Sequence, residues 1–224
     1  TMHLLLHFDG EGRILGAQGV GREGVDKRID VIATAARGGL RVDDLVDLDL
    51  SYAPPFGAAK DPVMMLGMIA DNVLSGRLTQ HDPVGPLDPE TTLVLDVRNP
   101  GEWDRGHIEG AMLVPQPDVA ASIEEIRRAA AGRPIVVHCA SGFRSYLANR
   151  TLAGAGIDSA NVSGGFTTLA IAQPQLVAHP QTSPASATTS GTTVSSTNAG
   201  RNANPSGSTI VTPSLAAASS IAGS

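Results

Sequence analysis

The sequence predicts an α/β protein in which a parallel-sheet domain is preceded by a small α+β domain and followed by a disordered tail. Residues 93–97 and 134–138 are short apolar runs, which are typical of strands buried on both faces of a parallel sheet. Residues 123–131 lie between these runs and carry apolar side chains at helical spacing, so the pattern is strand, helix, strand. No Phe, Tyr or Trp follows Phe166, which indicates that the end of the chain adds little to a core.

The first domain is predicted over residues 1–76 and begins with a β-hairpin. Residues 2–8 form an apolar strand, and residues 13–20 return after a turn that contains Gly10 and Gly12. The other expected elements are, in order, a helix from residue 25 to the glycines at 38 and 39, a short helix at 42–45, a strand at 48–50 and a helix at 62–74. The first of these helices is expected to bury one face: Ile29, Ile32, Ala33 and Ala36.

The second domain is predicted over residues 77–172. Its strand at 134–138 leads into a loop, and residues 145–153 then have the apolar spacing of a helix that Gly154 ends. Cys139, the single cysteine of the chain, opens that loop. Because open α/β sheets place their sites at the carboxyl ends of strands, this loop is the candidate site.

Residues 173–224 are predicted to be a disordered tail. They are mostly Ser, Thr, Ala, Asn, Gly and Pro, and Arg201 is their only full charge. Such a composition buries too little apolar surface to offset the entropy lost on ordering.

Composition also excludes several classes of function. The net charge is −6 and no run is rich in Lys or Arg, so no nucleic-acid partner is expected. The longest apolar stretch, residues 63–70, is far shorter than the roughly 20 residues of a membrane span, so no membrane partner is expected either. No signal peptide is visible and one cysteine cannot form an internal disulfide, which predicts a cytoplasmic location.

The loop that follows the strand at 134–138 has the features of an anion cradle. A β-branched strand, Gly142 and a helix start at Ser145 bring backbone N–H groups together near the sulfur of Cys139. These dipoles and the guanidinium of Arg144 favour the thiolate, so we expect a nucleophile at neutral pH. Phosphoryl transfer and sulfane-sulfur transfer both use such a loop. Four residues separate Cys139 from Arg144, which is shorter than the loop of cysteine phosphatases and favours sulfur.

Three parts of the second domain carry recognisable motifs. They are residues 95–103 (LDVRNPGEW) with 106–111 (GHIEGA), the loop at 139–145, and residues 162–166 (VSGGF). Together they resemble the rhodanese family of sulfurtransferases over about residues 77–171. The resemblance implies a rhodanese-like fold with Cys139 as the catalytic residue. It also implies a substrate- and anion-binding loop formed by Ala140, Ser141, Gly142, Phe143, Arg144 and Ser145.

Other polar residues near these motifs are expected to be structural. The resemblance implies a hydrogen-bonded set that holds the floor of the loop: Asp96, Arg98, Glu102 and His107. We interpret His138 as a core residue rather than a base, because the loop already activates the sulfur. Only Cys139 and Arg144 are therefore expected to take part in the chemistry through their side chains.

Ala140 bears on the choice of sulfur donor. Many rhodaneses that use thiosulfate carry a basic residue just after the cysteine, where this chain has Ala140. Less positive charge weakens the attraction for a dianion. A thiol-bound or protein-bound persulfide is therefore favoured over thiosulfate as the donor.

The first domain carries motifs of a different family. They are residues 12–18 (GRILGAQ), 24–30 (GVDKRID), 52–56 (YAPPF) and 61–63 (DPV). These segments resemble the C-terminal dimerisation domain of pyridine nucleotide-disulfide oxidoreductases of the coenzyme A-disulfide reductase type. The resemblance implies a homodimer in which Tyr52 contacts substrate across the interface. A segment this small also leaves part of its sheet uncovered without a partner.

Cofactors are expected outside this chain. The resemblance implies FAD and NAD(P)H in a longer parent enzyme, of which this chain would be the C-terminal part. Residues 19–24 (GVGREG) fit the glycine pattern of dinucleotide-binding loops, but no complete βαβ unit surrounds them, so we expect no cofactor there. The methionines of the helix at 62–74 are interpreted as core or interface residues, so no metal site is expected.

The leading functional hypothesis is a rhodanese-type sulfurtransferase. It moves sulfane sulfur from a small-molecule donor to a thiol acceptor through a persulfide on Cys139. The alternative is a non-catalytic dimerisation and docking module of a flavin-dependent oxidoreductase. A cysteine phosphatase or arsenate reductase is a third alternative, which the loop length disfavours.

Overall fold

The computed structural model describes residues 2–53, 59–178 and 209–211. The strands of this part of the chain are β1 (Met2–Phe8), β2 (Ile14–Gly21), β3 (Thr79–His81), β4 (Leu93–Asp96), β5 (His107–Ile108), β6 (Met112–Leu113), β7 (Ile135–His138), β8 (Ala160–Val162), β9 (Val177–Ala178) and β10 (Thr209–Val211). Its helices are α1 (Val25–Arg37), α2 (Pro62–Leu74), α3 (Pro100–Trp103), α4 (Ile123–Ala130), α5 (Phe143–Gly154) and α6 (Gly165–Ala172).

The predicted hairpin is present as β1 and β2, which pair antiparallel. Its turn is held by Asp9, whose Oδ1 accepts the backbone N–H of Glu11 at 3.0 Å and of Arg13 at 2.9 Å. Alternate side chains of β1 enter the core that α1 and α2 cover: Leu4, Leu6 and Phe8. The backbone of β10 pairs antiparallel with the other edge of β1.

The helix at 62–74 is confirmed as α2, and its start is fixed by Asp61. One oxygen of the Asp61 carboxylate accepts the backbone N–H of Val63 at 3.0 Å, which caps the helix. The other oxygen accepts from Arg28 of α1 at 2.7 Å, with both side chains largely buried. The same carboxylate therefore starts α2 and ties it to α1.

Two expectations for the first domain are wrong. α1 buries Ile32 and Ala35, with Ile29 half-buried, whereas Ala33 and Ala36 are exposed. The buried face of α1 is thus rotated about the helix axis relative to the predicted buried face. The expected strand at 48–50 has no strand pairing within the described part of the chain, and Leu48 and Leu50 are partly buried against the core.

The second domain is built on the predicted parallel sheet. Its five strands follow the order β3-β8-β7-β4-β6, and every neighbouring pair is parallel. Helices α4 and α5 lie over one face, where their apolar residues pack against β4 and β7, while α6 lies over the other. The strands β4 and β7 are buried on both faces. Their carboxyl ends lie side by side, with Asp96 paired to His138.

The expected start of the tail at residue 173 is corrected by the structure. The side-chain amide of Gln173 is buried and donates to the carbonyl oxygens of Pro83 and Gly85, each at 2.8 Å. The following residues form a short 3₁₀ turn and then β9, which pairs antiparallel with β5. The second domain therefore extends to Ala178. The rest of the expected tail, apart from β10, lies outside the described residues.

The two domains meet where α2 approaches α5. The side-chain amide of Asn72 lies 3.4 Å from the hydroxyl of Tyr146. Arg150 donates at 2.5 Å to the carbonyl oxygen of Arg77, with which the second domain was predicted to begin. The helix that begins at the candidate site is thus hydrogen-bonded to α2 and to the segment that follows it. Across the residues that the structure describes, we find no helix with the length and apolar character needed to cross a membrane.

Candidate active site

Cys139 lies immediately after β7 and is only 1% exposed. Its Sγ accepts a hydrogen bond from the backbone N–H of Gly142 at 3.1 Å. The hydroxyl of Ser145 lies 3.5 Å from the same sulfur and 3.1 Å from the carbonyl oxygen of Gly142. The loop thus turns back on its own first residue and places one backbone N–H and one hydroxyl next to the sulfur.

The helix α5 starts where this loop ends. Gly142 has φ +109°, a conformation that favours glycine, and its carbonyl accepts the N–H of Tyr146 at 3.0 Å as a first helical bond. The positive end of α5 therefore lies beside Sγ, where its dipole and free N–H groups stabilise an anion.

The first turn of α6 holds the outer side of the loop. The backbone N–H of Phe166 donates to the carbonyl oxygen of Cys139 at 2.7 Å. Thr167 donates to the carbonyl of Ala140 twice, from its N–H at 3.1 Å and from its hydroxyl at 2.9 Å. Because these two carbonyls are bound by α6, the loop can direct N–H groups toward the sulfur.

This close packing depends on Gly165. A Cβ there would lie 2.6 Å from the backbone nitrogen of Ser141 and 2.7 Å from the carbonyl oxygen of Cys139, and the residue has φ +63°. Gly165 lies within the motif at residues 162–166, and its contact with the loop was not predicted. Two consecutive glycines between a strand and a helix were the available signal.

Arg144 is paired with Glu102 at the start of α3. Its Nη1 and Nη2 donate to the two carboxylate oxygens at 2.7 and 2.8 Å. The hydrogen bond from Arg144 holds the pKa of Glu102 well below its usual range, at about 2. The pKa of Arg144 is raised, first by Glu102 and further by the nearby Cys139. Glu102 was expected in the floor of the loop, and the structure places it against the loop arginine itself.

The floor of the loop contains a buried ion pair. Arg98 donates to both carboxylate oxygens of Asp96, with the shortest bond at 2.6 Å, and to the carbonyl of Gly106 at 2.9 Å. The guanidinium of Arg98 also lies 3.8 Å from the centre of the Phe166 ring. Arg98 in the floor therefore packs against Phe166, and the backbone N–H of Phe166 in turn donates to the carbonyl oxygen of Cys139.

Two histidines lie close to this floor. His138 is fully buried, its Nδ1 is 3.8 Å from Asp96, and burial lowers its pKa despite that carboxylate. It is therefore neutral at pH 7, which fits the expected core role. His107 stacks on Trp103 with ring centres 3.8 Å apart and lies at hydrogen-bond distance from the Trp103 carbonyl.

The rim of the site is partly apolar. Phe143 is 60% exposed, and Leu147, one turn further along α5, is 36% exposed. Ala140 and Ser141 are half-buried beside them. Tyr52 belongs to the first domain and is exposed, and residues 54–58 of its loop lie outside the described residues. Its contact with substrate across a dimer stays a prediction.

The glycine pattern at 19–24 does not form an open phosphate cradle. A Cβ on Gly19 would lie 2.6 Å from Val25, and one on Gly21 would lie 2.8 Å from Met2. These glycines make room for side chains of α1 and β1, so the segment does not fit a dinucleotide. Among the described residues, no cluster of three or more His, Cys, Asp and Glu side chains could hold a metal ion.

Comparison with known proteins gives two sets of relatives. Residues 82–171 match the family model of the rhodanese-like domain. A coenzyme A disulfide reductase of Staphylococcus aureus is 46% identical over 67 residues, which are 30% of this chain and 15% of that protein.

Two solved structures share most of the fold. The reduced form of Bacillus anthracis CoADR-RHD is 38% identical with a TM-score of 0.74, covering 79% of this chain and 32% of that one. A NAD-dependent persulfide reductase from A. fulgidus is 37% identical with a TM-score of 0.65, covering 75% and 30%. The chain thus spans about a third or less of these relatives. Residues 82–171 belong to the rhodanese-like domain family, in a chain homologous to coenzyme A disulfide reductases and a persulfide reductase.

Proposed function

We propose that this protein is a sulfurtransferase that carries sulfane sulfur as a persulfide on Cys139. The observation that carries the proposal is the 3.1 Å hydrogen bond from the N–H of Gly142 to Sγ at the amino end of α5. Donors placed at that distance stabilise a sulfur anion both before and after it receives a second sulfur.

The reaction consists of two exchanges at sulfur. In the first, the Cys139 thiolate attacks the sulfane sulfur of a donor, a new S–S bond forms, and the bond in the donor breaks. The leaving group departs with the electron pair, as a thiolate from a persulfide donor or as sulfite from thiosulfate. In the second, an acceptor thiolate attacks the outer sulfur and restores the Cys139 thiolate, so no outside oxidant or reductant is needed.

Two features support sulfur over phosphate. Only four residues separate Cys139 from Arg144, which leaves a small loop for a group that adds a single sulfur atom. Both terminal nitrogens of Arg144 also donate to the carboxylate of Glu102. To bind a phosphoryl group, Arg144 would need the same two nitrogens for a bidentate contact with the phosphoryl oxygens.

We further propose that the chain acts as the C-terminal part of a coenzyme A-disulfide reductase-like flavoenzyme. The names of the relatives, coenzyme A disulfide reductase and NAD-dependent persulfide reductase, both concern the cleavage of S–S bonds. FAD and NAD(P)H would bind other domains of such an enzyme. The persulfide on Cys139 would then reach its thiol acceptor in the same homodimer.

The alternative, a non-catalytic dimerisation and docking module, has one observation in its favour. The hairpin exposes apolar side chains, with Leu15 at 55% and Val20 at 68%. Such a surface can bind a second copy whether or not the thiol reacts. A dimer in sedimentation analysis would therefore be compatible with both functions. Only the reactivity of Cys139 distinguishes them.

Mass spectrometry of the 224-residue chain tests the proposal. After incubation with thiosulfate or an alkyl persulfide and removal of the donor, the protein should carry one additional sulfur on the Cys139 peptide. Cyanide should then release that sulfur as thiocyanate. The Cys139→Ser variant is the matched control and should do neither, because no other cysteine exists. An unmodified Cys139 with both donors would favour the docking module.

A further inference from the structure

We propose that Glu102 is a specificity-determining residue, which cancels the charge of Arg144 and thereby selects sulfur donors of low charge. The inference rests on the proposed sulfurtransferase function and gives a role in donor choice to a residue that was expected to be structural. The two side chains pair beside Cys139.

The carboxylate of Glu102 is fixed from two sides. Its Oε1 and Oε2 accept the two terminal nitrogens of Arg144 at 2.8 and 2.7 Å, and Oε2 also accepts the backbone N–H of Asn99 at 3.1 Å. The Asn99 contact is half of a capping box that starts α3. Both members of the pair are mostly shielded, with side chains 24% and 30% exposed. The pair is therefore a built feature of the site.

The consequence is that the loop offers little net positive charge. Arg144 is the cation of the loop, and its charge is balanced at 2.7 Å by Glu102. Arg98 lies beneath the loop and is balanced in the same way by Asp96 at 2.6 Å. The N–H dipoles around Sγ remain, but dipoles act over shorter distances than charges. A dianion approaching from solvent is thus drawn in more weakly than by an unpaired arginine.

The rim of the site agrees with this preference. Phe143, between Gly142 and Arg144, is 60% exposed, and Leu147 follows on the same face of α5. An organic substituent next to the transferred sulfur can cover this apolar surface, whereas a hydrated sulfonate cannot. Charge and shape therefore both favour a donor with a carbon substituent and at most one negative charge.

Steady-state kinetics with two donors of the same chemistry test the inference. Thiosulfate is a dianion and an alkyl thiosulfonate is a monoanion, and both transfer sulfane sulfur by breaking an S–S bond. In the Glu102→Gln variant the amide still accepts a hydrogen bond from Arg144, but the loop gains one positive charge. We expect KM to fall about tenfold for thiosulfate and about threefold for the thiosulfonate, with kcat nearly unchanged. In about 1 M salt both gains should largely vanish.

A matched control and two possible results make the test decisive. Glu125→Gln removes an exposed charge from α4 and should change neither KM nor kcat for either donor. A loss of kcat with no shift in KM, or equal KM shifts for both donors, would show that Glu102 only maintains structure. Absence of persulfide in the unaltered chain with both donors would overturn the proposed function itself, and this inference with it.

Discussion

The backbone N–H of Phe166 donates a 2.7 Å hydrogen bond to the carbonyl oxygen of Cys139. The nucleophile is therefore held from outside the loop by the first turn of α6. The next residue of α6, Thr167, donates to the carbonyl oxygen of Ala140 in the same way. The guanidinium of Arg98, below the loop, packs against the ring of Phe166. The geometry around the sulfur thus depends on residues that do not touch it.

Gly165→Ala should disrupt this arrangement. The added methyl group would lie 2.6 to 2.7 Å from backbone atoms of the loop at φ +63°. Backbone strain alone costs about 1–3 kcal/mol, and relief of the clash must move the loop. We expect a lower free energy of unfolding in urea and slower persulfide formation. Gly154→Ala is the control, because a Cβ there meets no atom within 4 Å, and it should change neither quantity by much.

The buried pair of Asp96 and Arg98 predicts a large loss of stability. Asp96→Ala leaves the guanidinium of Arg98 buried, at 4% exposure, without its carboxylate. Removal of one member of such a pair costs about 3–5 kcal/mol. The control is Asp71→Ala, which breaks an exposed pair with Arg77 and should cost no more than about 1 kcal/mol. Urea unfolding that shows equal losses for both variants would contradict this reading of the floor.

His138 predicts a dependence of stability on pH. Burial lowers its pKa from 6.5 in the folded protein, so the unfolded chain binds a proton below about pH 6.5 that the folded chain does not bind. Its contribution to stability is therefore complete above pH 6.5 and declines as the pH falls below that value. His138→Leu should flatten the decline of unfolding free energy between pH 7 and 5. His81, whose pKa burial also lowers, is present in both proteins, so their difference isolates His138.

Sequence patterns predicted the elements whose signals are local. The strands β4 and β7 are continuous apolar runs, and Cys139, Gly142 and Ser145 lie within seven residues. The pairing of Arg144 with Glu102 was missed because the two lie 42 positions apart in the sequence, so only the folded sheet brings them together.

The extent of the second domain was missed for a similar reason. Gln173 belongs to a polar stretch that resembles the tail, yet its amide binds two carbonyl oxygens nearly 90 residues earlier in the chain. Local composition records that Gln173 is polar, but it does not record whether partners for its amide exist.

Truncation tests this revised boundary. A chain that ends after Ala172 loses Gln173 and β9, whereas a chain that ends after Ala178 keeps both, and each lacks β10. We expect the shorter chain to unfold at a lower temperature, because two buried hydrogen bonds and a strand pairing are lost, at about 1 kcal/mol per hydrogen bond. Equal melting temperatures for the two chains would show that residues 173–178 contribute no stability.

The last prediction concerns the charge at position 140. Because Glu102 already balances Arg144, an arginine in place of Ala140 would add the first uncompensated cation to the loop. The attraction between a partly exposed cation in the loop and a bound dianion is worth about 1 kcal/mol or somewhat more. This free energy corresponds to a change of about tenfold in the affinity for thiosulfate. Ala140→Arg should therefore lower the KM for thiosulfate by about that factor, with less benefit for a monoanionic thiosulfonate and a gain that shrinks as salt is added. Ala140→Gln has similar length without the charge and should leave both constants near their original values. If Ala140→Gln lowered the KM for thiosulfate as much as Ala140→Arg, hydrogen bonding at the rim and not charge would determine the choice of donor.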